Sequence, residues 1–235
     1  MALNMNNAAP AAKQRQLITA GQNMARIVQV IDMGLQKQPD WQGQPKAPAY
    51  MMHVTFEFPN ERLDIQGESK PMWKSRDIKL SNHEMSLCYK WYKKLDPTNK
   101  FGGDWSKLIN LECAVLIVHE DGKGKNTGKT FDKIADVVPL MAGVSVPPLE
   151  NDPQLFDLTS PDLEIFDKQP EWLQKKIKDN LEYENSKLFK LLNKEPVPYT
   201  ARAEGDAPTE QDSDDPRPDV PEPAIAEDVD GDEPW

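Results

Sequence analysis

Cysteine and histidine are scarce in this chain of 235 residues, at two and three copies. Cys88 and Cys113 form no CxxC pair and have no zinc-like spacing, so a disulfide framework and a thiolate metal site are set aside. Buried thiols in a reducing compartment are the expectation. His53, His83 and His119 are scattered without ligand spacing, and no metal is expected on them. Long apolar runs are missing as well. The longest aliphatic run, Ala114-Val115-Leu116-Ile117-Val118, falls far short of the ~20 residues that cross a bilayer. Met1 to Gln16 has no apolar stretch of signal-peptide shape. A soluble, intracellular protein with no membrane partner is expected.

Catalytic signatures are absent too. The stretch from Gly122 to Thr130 resembles a phosphate-binding loop, but that pattern needs glycine where Lys123 stands. It should also open a helix, whereas Phe131-Asp132-Lys133-Ile134-Ala135 has strand character. A flexible basic hairpin able to touch phosphates is the better reading. No nucleophile–base motif and no isolated carboxylate pair occurs. The expectation is a protein that is not an enzyme and needs no cofactor.

What the chain does hold is charge, unevenly placed. Its net charge is −11. Residues 196–235 carry thirteen acids against Arg202 and Arg217, which is −11 by themselves, so residues 1–195 balance. Eight prolines and few apolar residues mark this tail as disordered. It ends Asp232-Glu233-Pro234-Trp235, an exposed indole that a mere solubilising tail does not need. Within the body, Lys70 to Lys133 holds thirteen bases and eight acids, whereas Ile134 to Glu195 holds seven and twelve.

Patterning supplies the architecture. Met24 to Met33 reads as a strand, with Arg26, Val28 and Val30 on one face and Ile27, Gln29 and Ile31 on the other. Tyr50 to Phe58 alternates strictly and closes at Pro59, and Pro71 to Leu80 follows. Ser81 with Glu84 makes a capping box for a helix to about Leu95. Leu111 to Glu120 and Thr130 to Val138 are two more strands. Three strands, a helix and two strands is the order of an OB-fold, a small five-stranded barrel whose loops 1–2 and 4–5 grip oligonucleotides. The expected class is mainly β, a β-barrel with helices. The division is a flexible arm over 1–23, the barrel over 24–140, a Pro-rich connector with a helical extension packing on the barrel over 141–195, and the tail over 196–235. In the extension, Glu171 to about Tyr183 reads as a helix with Leu173, Ile177 and Leu181 in a stripe that faces a core.

Sequence-independent single-strand binders combine a cationic groove with aromatic platforms. The candidates here are Lys37, Trp41 and Lys46 in the first loop and Lys123, Lys125 and Lys129 in the fourth. On or near the strands they are Arg26, Tyr50, Trp73, Lys74, Arg76, Phe131 and Lys133. The tail candidates are Asp228, Asp230, Asp232, Glu233 and Trp235.

The chain resembles the single-stranded DNA-binding proteins of tailed bacteriophages, an OB-fold followed by an acidic tail ending in an aromatic residue. The likeness runs through Ala25-Arg26-Ile27-Val28-Gln29-Val30-Ile31-Asp32-Met33-Gly34-Leu35-Gln36, Leu95-Asp96-Pro97, Gly102-Gly103-Asp104-Trp105-Ser106-Lys107-Leu108 and Glu171-Trp172-Leu173-Gln174-Lys175-Lys176-Ile177. The resemblance implies coating of single strands during phage DNA replication, recombination and repair, in the cytoplasm of an infected bacterial host. It also implies that the tail recruits a polymerase, helicase or recombination factor. The tail departs from the family pattern in its eight prolines and two arginines. A forty-residue flexible chain has a span of about 35 Å, against a body radius of gyration of ~16 Å. The tail can therefore reach the groove and compete for it. A protein–protein adaptor without DNA binding is the alternative. Oligomeric state is left open, a homo-oligomer included.

Overall fold

The structure, a computed structural model, describes residues 16–141 and 143–193. The tail with Asp228, Asp230, Asp232, Glu233 and Trp235, and residues 1–15 of the expected arm, lie outside the described residues.

The protein is mainly β. Strands β1 (Gly21–Gln36), β2 (Ala49–Ile65), β3 (Glu68–Lys79), β4 (Glu112–Asp121) and β5 (Thr130–Val138) form an antiparallel sheet in the order β3-β2-β1-β4-β5. The sheet curls into a half-barrel. Its N-terminal end is pinned, because Ile18 is fully buried and donates its N–H to Asp132 Oδ2 at 3.1 Å. β1 organises the sheet. Its first part pairs with β4, from Gly21–Ile117 to Arg26–Glu112, and its second part with β2, from Arg26–Glu57 to Gln36–Ala49.

A bulge at Val28 separates the two parts and reverses which side chains point inward. Ala25 and Ile27 before it, and Val30 after it, share the barrel core with Phe56, Phe58, Ile78, Trp91 and Val115. Ile31 and Met33 face the other way. The simple alternation expected over Met24 to Met33 is therefore corrected: Ile27 and Val30 lie in one core, because the bulge consumes a residue. β2 also continues past Pro59 to Ile65. Its register shifts between Phe58 and Arg62, which carries the chain across the proline.

The helix between β3 and β4, α1 (Leu87–Leu95), starts later than the Ser81 box suggests. Ser86 is the N-cap and accepts from Tyr89 N, while Ser81 Oγ accepts from His83 N in the loop before it. Helical spacing then buries Cys88, Trp91, Tyr92 and Leu95 together.

Beyond residue 143 the chain builds a second core on the outside of the sheet. β6 (Gln154–Phe156) pairs in parallel with β1 at Gln29 to Ile31, on the edge that β4 leaves after Arg26. Helices α2 (Leu163–Asp167), α3 (Glu171–Lys178) and α4 (Lys187–Leu192) complete it. α3 stops at Lys178, so Leu181, expected in its apolar stripe, is 46% exposed. Phe156, Phe166, Leu173, Ile177 and Leu188 pack on Ile31 and Met33, all seven at most 1% exposed. At ~1.5–3 kcal/mol per buried side chain, this layer contributes on the order of 10 kcal/mol, comparable with the ~5–15 kcal/mol net stability of a whole domain. The extension is thus an integral layer of the fold. Ile177→Ala is expected to cost ~2–5 kcal/mol in urea unfolding. One transition, coincident by tryptophan fluorescence and far-UV circular dichroism, is expected; two separated transitions would make the extension an independent module.

Candidate nucleic-acid interface

The half-barrel has an inner and an outer face, and the candidate residues divide between them and the loops. On β3, Lys74 and Arg76 stand opposite Phe56 and Val54, on the inner face. Their heads cross the seam to β5. Lys74 Nζ meets Asp132 Oδ1 at 2.9 Å, and Arg76 Nη1 donates to the Ile134 carbonyl at 2.5 Å. These two cations join the edge strands of the sheet. Lys133, also on β5, pairs with Glu120 at 3.4 Å, and Phe131 is half-buried beside it. Arg26 is engaged most heavily. It bonds Glu112 Oε1 at 2.5 Å, the Pro147 and Val146 carbonyls at 2.7 and 2.8 Å, and the Asn110 carbonyl at 2.9 Å. It thereby ties the start of the extension to β1.

Trp73 lies on the outer face, with its indole N–H donating to Glu57 Oε2 at 3.0 Å. Glu57 is buried and also accepts from Glu150 N at 2.8 Å and Asn151 Nδ2 at 2.7 Å, both in the extension. The outer face of β2 is walled off from His53 to Glu57. Thr55 donates to Gln29 Oε1 at 2.6 Å, and Gln29 Nε2 reaches Gln154 and Gln169 at 2.7 and 2.8 Å. His53 Nδ1 faces Asp77 Oδ1 at 2.6 Å, Lys176 of α3 holds Asp77 Oδ2 at 2.6 Å, and Trp172 sets its ring edge-on to the imidazole, 5.4 Å between centroids. Sequence reasoning missed this polar ladder. Its signal was the run of polar residues, His53, Thr55 and Glu57, alternating with the apolar ones of β2.

Of the candidate groups, the β1–β2 loop is the one that presents an aromatic ring to solvent. Trp41 and Gln44 exchange backbone hydrogen bonds of 2.8 Å in both directions, closing a two-residue turn at Gln42 (φ 49°) and Gly43 (φ 79°). Both central residues at positive φ make it a type I′ turn. Trp41 is 39% exposed, and Lys46 Nζ lies 4.7 Å from its ring centroid. Lys37 is exposed at the base of the loop. Tyr50, just past it, lines an open cleft of about 440 Å³ with Asp32, Asn180 and Glu182, and donates to Glu182 at 3.1 Å. That cleft is acidic and unsuited to phosphate. In the β4–β5 loop, Lys123 and Lys129 are exposed and Lys125 lies in the short 3₁₀ turn Gly124–Asn126.

The two loops do not meet. β1 reaches the β1–β2 loop after Gln36, whereas its other end, Gly21, pairs with Ile117 on the way to the β4–β5 loop. At ~3.3 Å per residue they are separated by about 50 Å along β1. By contrast, the end of β3 comes back to the first loop. Lys79 pairs with Met51, and Leu80 N donates to the Tyr50 carbonyl at 2.8 Å.

Both thiols are buried, and burial pushes Cys113 up to about 12 and Cys88 upward, so neither is a reactive thiolate. Among the described residues, no group of three or more His, Cys, Asp or Glu side chains could hold a metal ion, and no helix is long and apolar enough to cross a membrane. Compared with known proteins, the chain matches no family model, no curated protein and no solved structure.

Burial pushes Asp77 upward, but the hydrogen bond and charge of His53, with those of Lys176, outweigh it and hold the carboxyl below its ordinary value. Its contribution to stability is complete above the unfolded pKa of ~3.9 and is lost as pH falls through the lower folded value. The stability of the native chain over Asp77→Asn, measured in urea from pH 7 to 3, should therefore shrink below about pH 4. A gap that widened there would contradict the assignment.

Proposed function

We propose that this protein binds single-stranded DNA without regard to sequence, on an OB-like barrel, as the phage family it resembles does. The carrying observation is the β1–β2 loop. A type I′ turn holds Trp41 exposed beneath Lys46 in one of the two loops with which such barrels grip oligonucleotides. The strand order β3-β2-β1-β4-β5, with α1 between β3 and β4, supports the same reading. Phosphates meet lysines, bases stack on rings, and no base edge is read. The acidic tail competes for the same surface and, when displaced, recruits replication partners. Its point of departure favours this. Leu181 N bonds the Leu35 carbonyl at 2.8 Å, and the 3₁₀ turn Tyr183–Asn185 carries α4 at that end, the end of β1 that leads into the loop.

Titration of intrinsic tryptophan fluorescence with oligo-dT is the direct test. Binding should weaken steeply with salt, by a slope in log K of ~0.7 per phosphate neutralised. Trp41→Ala should lose ~1–3 kcal/mol of binding with stability unchanged. Failure of the full chain to bind at low salt would remove this function and leave the adaptor reading. Deleting residues 196–235 should tighten binding most at low salt, the advantage shrinking as ions screen both contacts. Equal affinities there would remove the competition.

A further inference from the structure

We infer a second strand-binding surface, the outward face of α1, on which Lys90, Lys93 and Lys100 hold the phosphates of a single strand led there from the β1–β2 loop past Lys79. This rests on the function proposed above and names where the strand runs. The observation behind it is the closed outer face. In an OB-like barrel the strand would ordinarily cross β2 and β3, yet here His53, Thr55 and Glu57 are at most 4% exposed beneath the extension. Reaching that face would mean dismantling the second core, in which Phe156, Phe166, Leu173, Ile177 and Leu188 are fully buried on Ile31 and Met33. The strand must pass elsewhere.

The cations indicate where. Four of the nine cations first expected to line a groove already face carboxylates or carbonyls: Arg26 with Glu112, Lys74 with Asp132, Lys133 with Glu120, and Arg76 with the Ile134 carbonyl. Along α1 the pattern is different. Among the described residues, no carboxylate forms an ion pair with Lys79, Lys90, Lys93 or Lys100. Burial of Cys88, Trp91, Tyr92 and Leu95 turns Lys90 and Lys93 outward, with Tyr89 half-exposed beside them. Lys94 alone on this helix has an acid, Asp136 of β5.

Aromatic rings accompany the free lysines. Lys93 Nζ lies 5.6 Å from the Tyr89 centroid and Lys100 Nζ 5.1 Å from that of Phe101. The carboxylate at the helix end, Asp96, is 3% exposed and points inward. It accepts from the Lys100 and Phe101 N–H groups at 2.8 Å each, so it fixes the Lys100 loop against α1 without neutralising the outward face. The surface is continuous with the first loop, because Lys79 and Leu80 return to Met51 and Tyr50, at the foot of that loop, before α1 begins. A solvated basic helix that serves only solubility is the competing account, and salt dependence separates the two.

The experiment uses the full chain and fluorescein-labelled oligo-dT, with affinity read by anisotropy across a salt series. Lys90→Glu/Lys93→Glu should weaken binding about tenfold or more at low salt and make the log K against log salt slope shallower by ~1.4, two phosphates at ~0.7 each. Lys90→Gln/Lys93→Gln should give the same slope change with a smaller loss, a check that stands if the reversed charges disturb the helix. Lys168→Glu/Lys175→Glu, on the extension, carries the same change in net charge and should leave the slope unaltered. If the α1 variants match that control, the surface is not used, while DNA binding by the native chain still stands. If the native chain itself does not bind, both readings fall.

Discussion

One inserted residue sets the shape of this molecule. Val28 bulges out of the β1–β2 ladder, and from that point β1 turns its side chains over. Without the bulge, Ile27 and Val30 could not share a core, and Ile31 and Met33 would not present a second apolar face outward. Two cores therefore hang from one strand, an inner one closed by α1 and an outer one closed by β6 and the helices after it. The change of partner from β4 to β2 at Arg26 is part of the same event, since bending the strand there opens an edge that β6 fills. Arg26 fastens the corner by bonding Glu112 on one side and the Val146 and Pro147 carbonyls on the other.

The second core has a consequence for any ligand. A sheet face buried under five large apolar side chains and a ladder of satisfied amides and carboxylates is a structural face. Gln29, Thr55, Gln154 and Gln169 bond one another with 2.6–2.8 Å distances, and removing a single member would orphan buried polar groups at ~1–3 kcal/mol each. Gly34 sits at the margin of this layer with φ 72°, where a Cβ would lie 2.9 Å from Asn180 Cγ and Leu158 Cδ1. Strand and extension are packed there to the limit of contact. In the proposed reading, binding is built at the ends of the half-barrel, where β3 returns to the foot of the β1–β2 loop before the chain runs on to α1.

How far the sequence speaks for this arrangement depends on which residues hold local information. Period two located five strands and their order, and β5 at Thr130 to Val138 agrees at both ends, although a register shift at Ala135 sets its inward residues Ile134 and Val137 three positions apart. Trp41 was legible as exposed from the polar, glycine- and proline-rich loop around it. The bulge was not legible, since β1 is apolar on both faces and any register fits the pattern. Neither were β6, α2 and α4, each too short to show a period. Lys74 and Arg76 looked like groove residues by their spacing. Their partners, Asp132 and the Ile134 carbonyl, are 58 positions away, and only the closure of the sheet brings them together.

The same distance explains why a charge count along the chain misplaces a surface. The excess of five bases between Lys70 and Lys133 is real as a sum, but folding divides it into pairs and remainders. Lys74 and Lys133 acquire carboxylates across the sheet; Lys79, Lys90, Lys93 and Lys100 do not. A paired cation offers a phosphate little, because taking the phosphate means giving up the carboxylate. An unpaired one gains the full contact and releases a counterion from the nucleic acid. The remainders Lys79, Lys90 and Lys93 follow the return of β3 to the foot of the first loop, where Leu80 N bonds the Tyr50 carbonyl. In the reading proposed above, an acidic segment tethered to the same chain would reach these lysines at a high local concentration, so lysines open to a DNA strand would be open to the chain's own carboxylates as well.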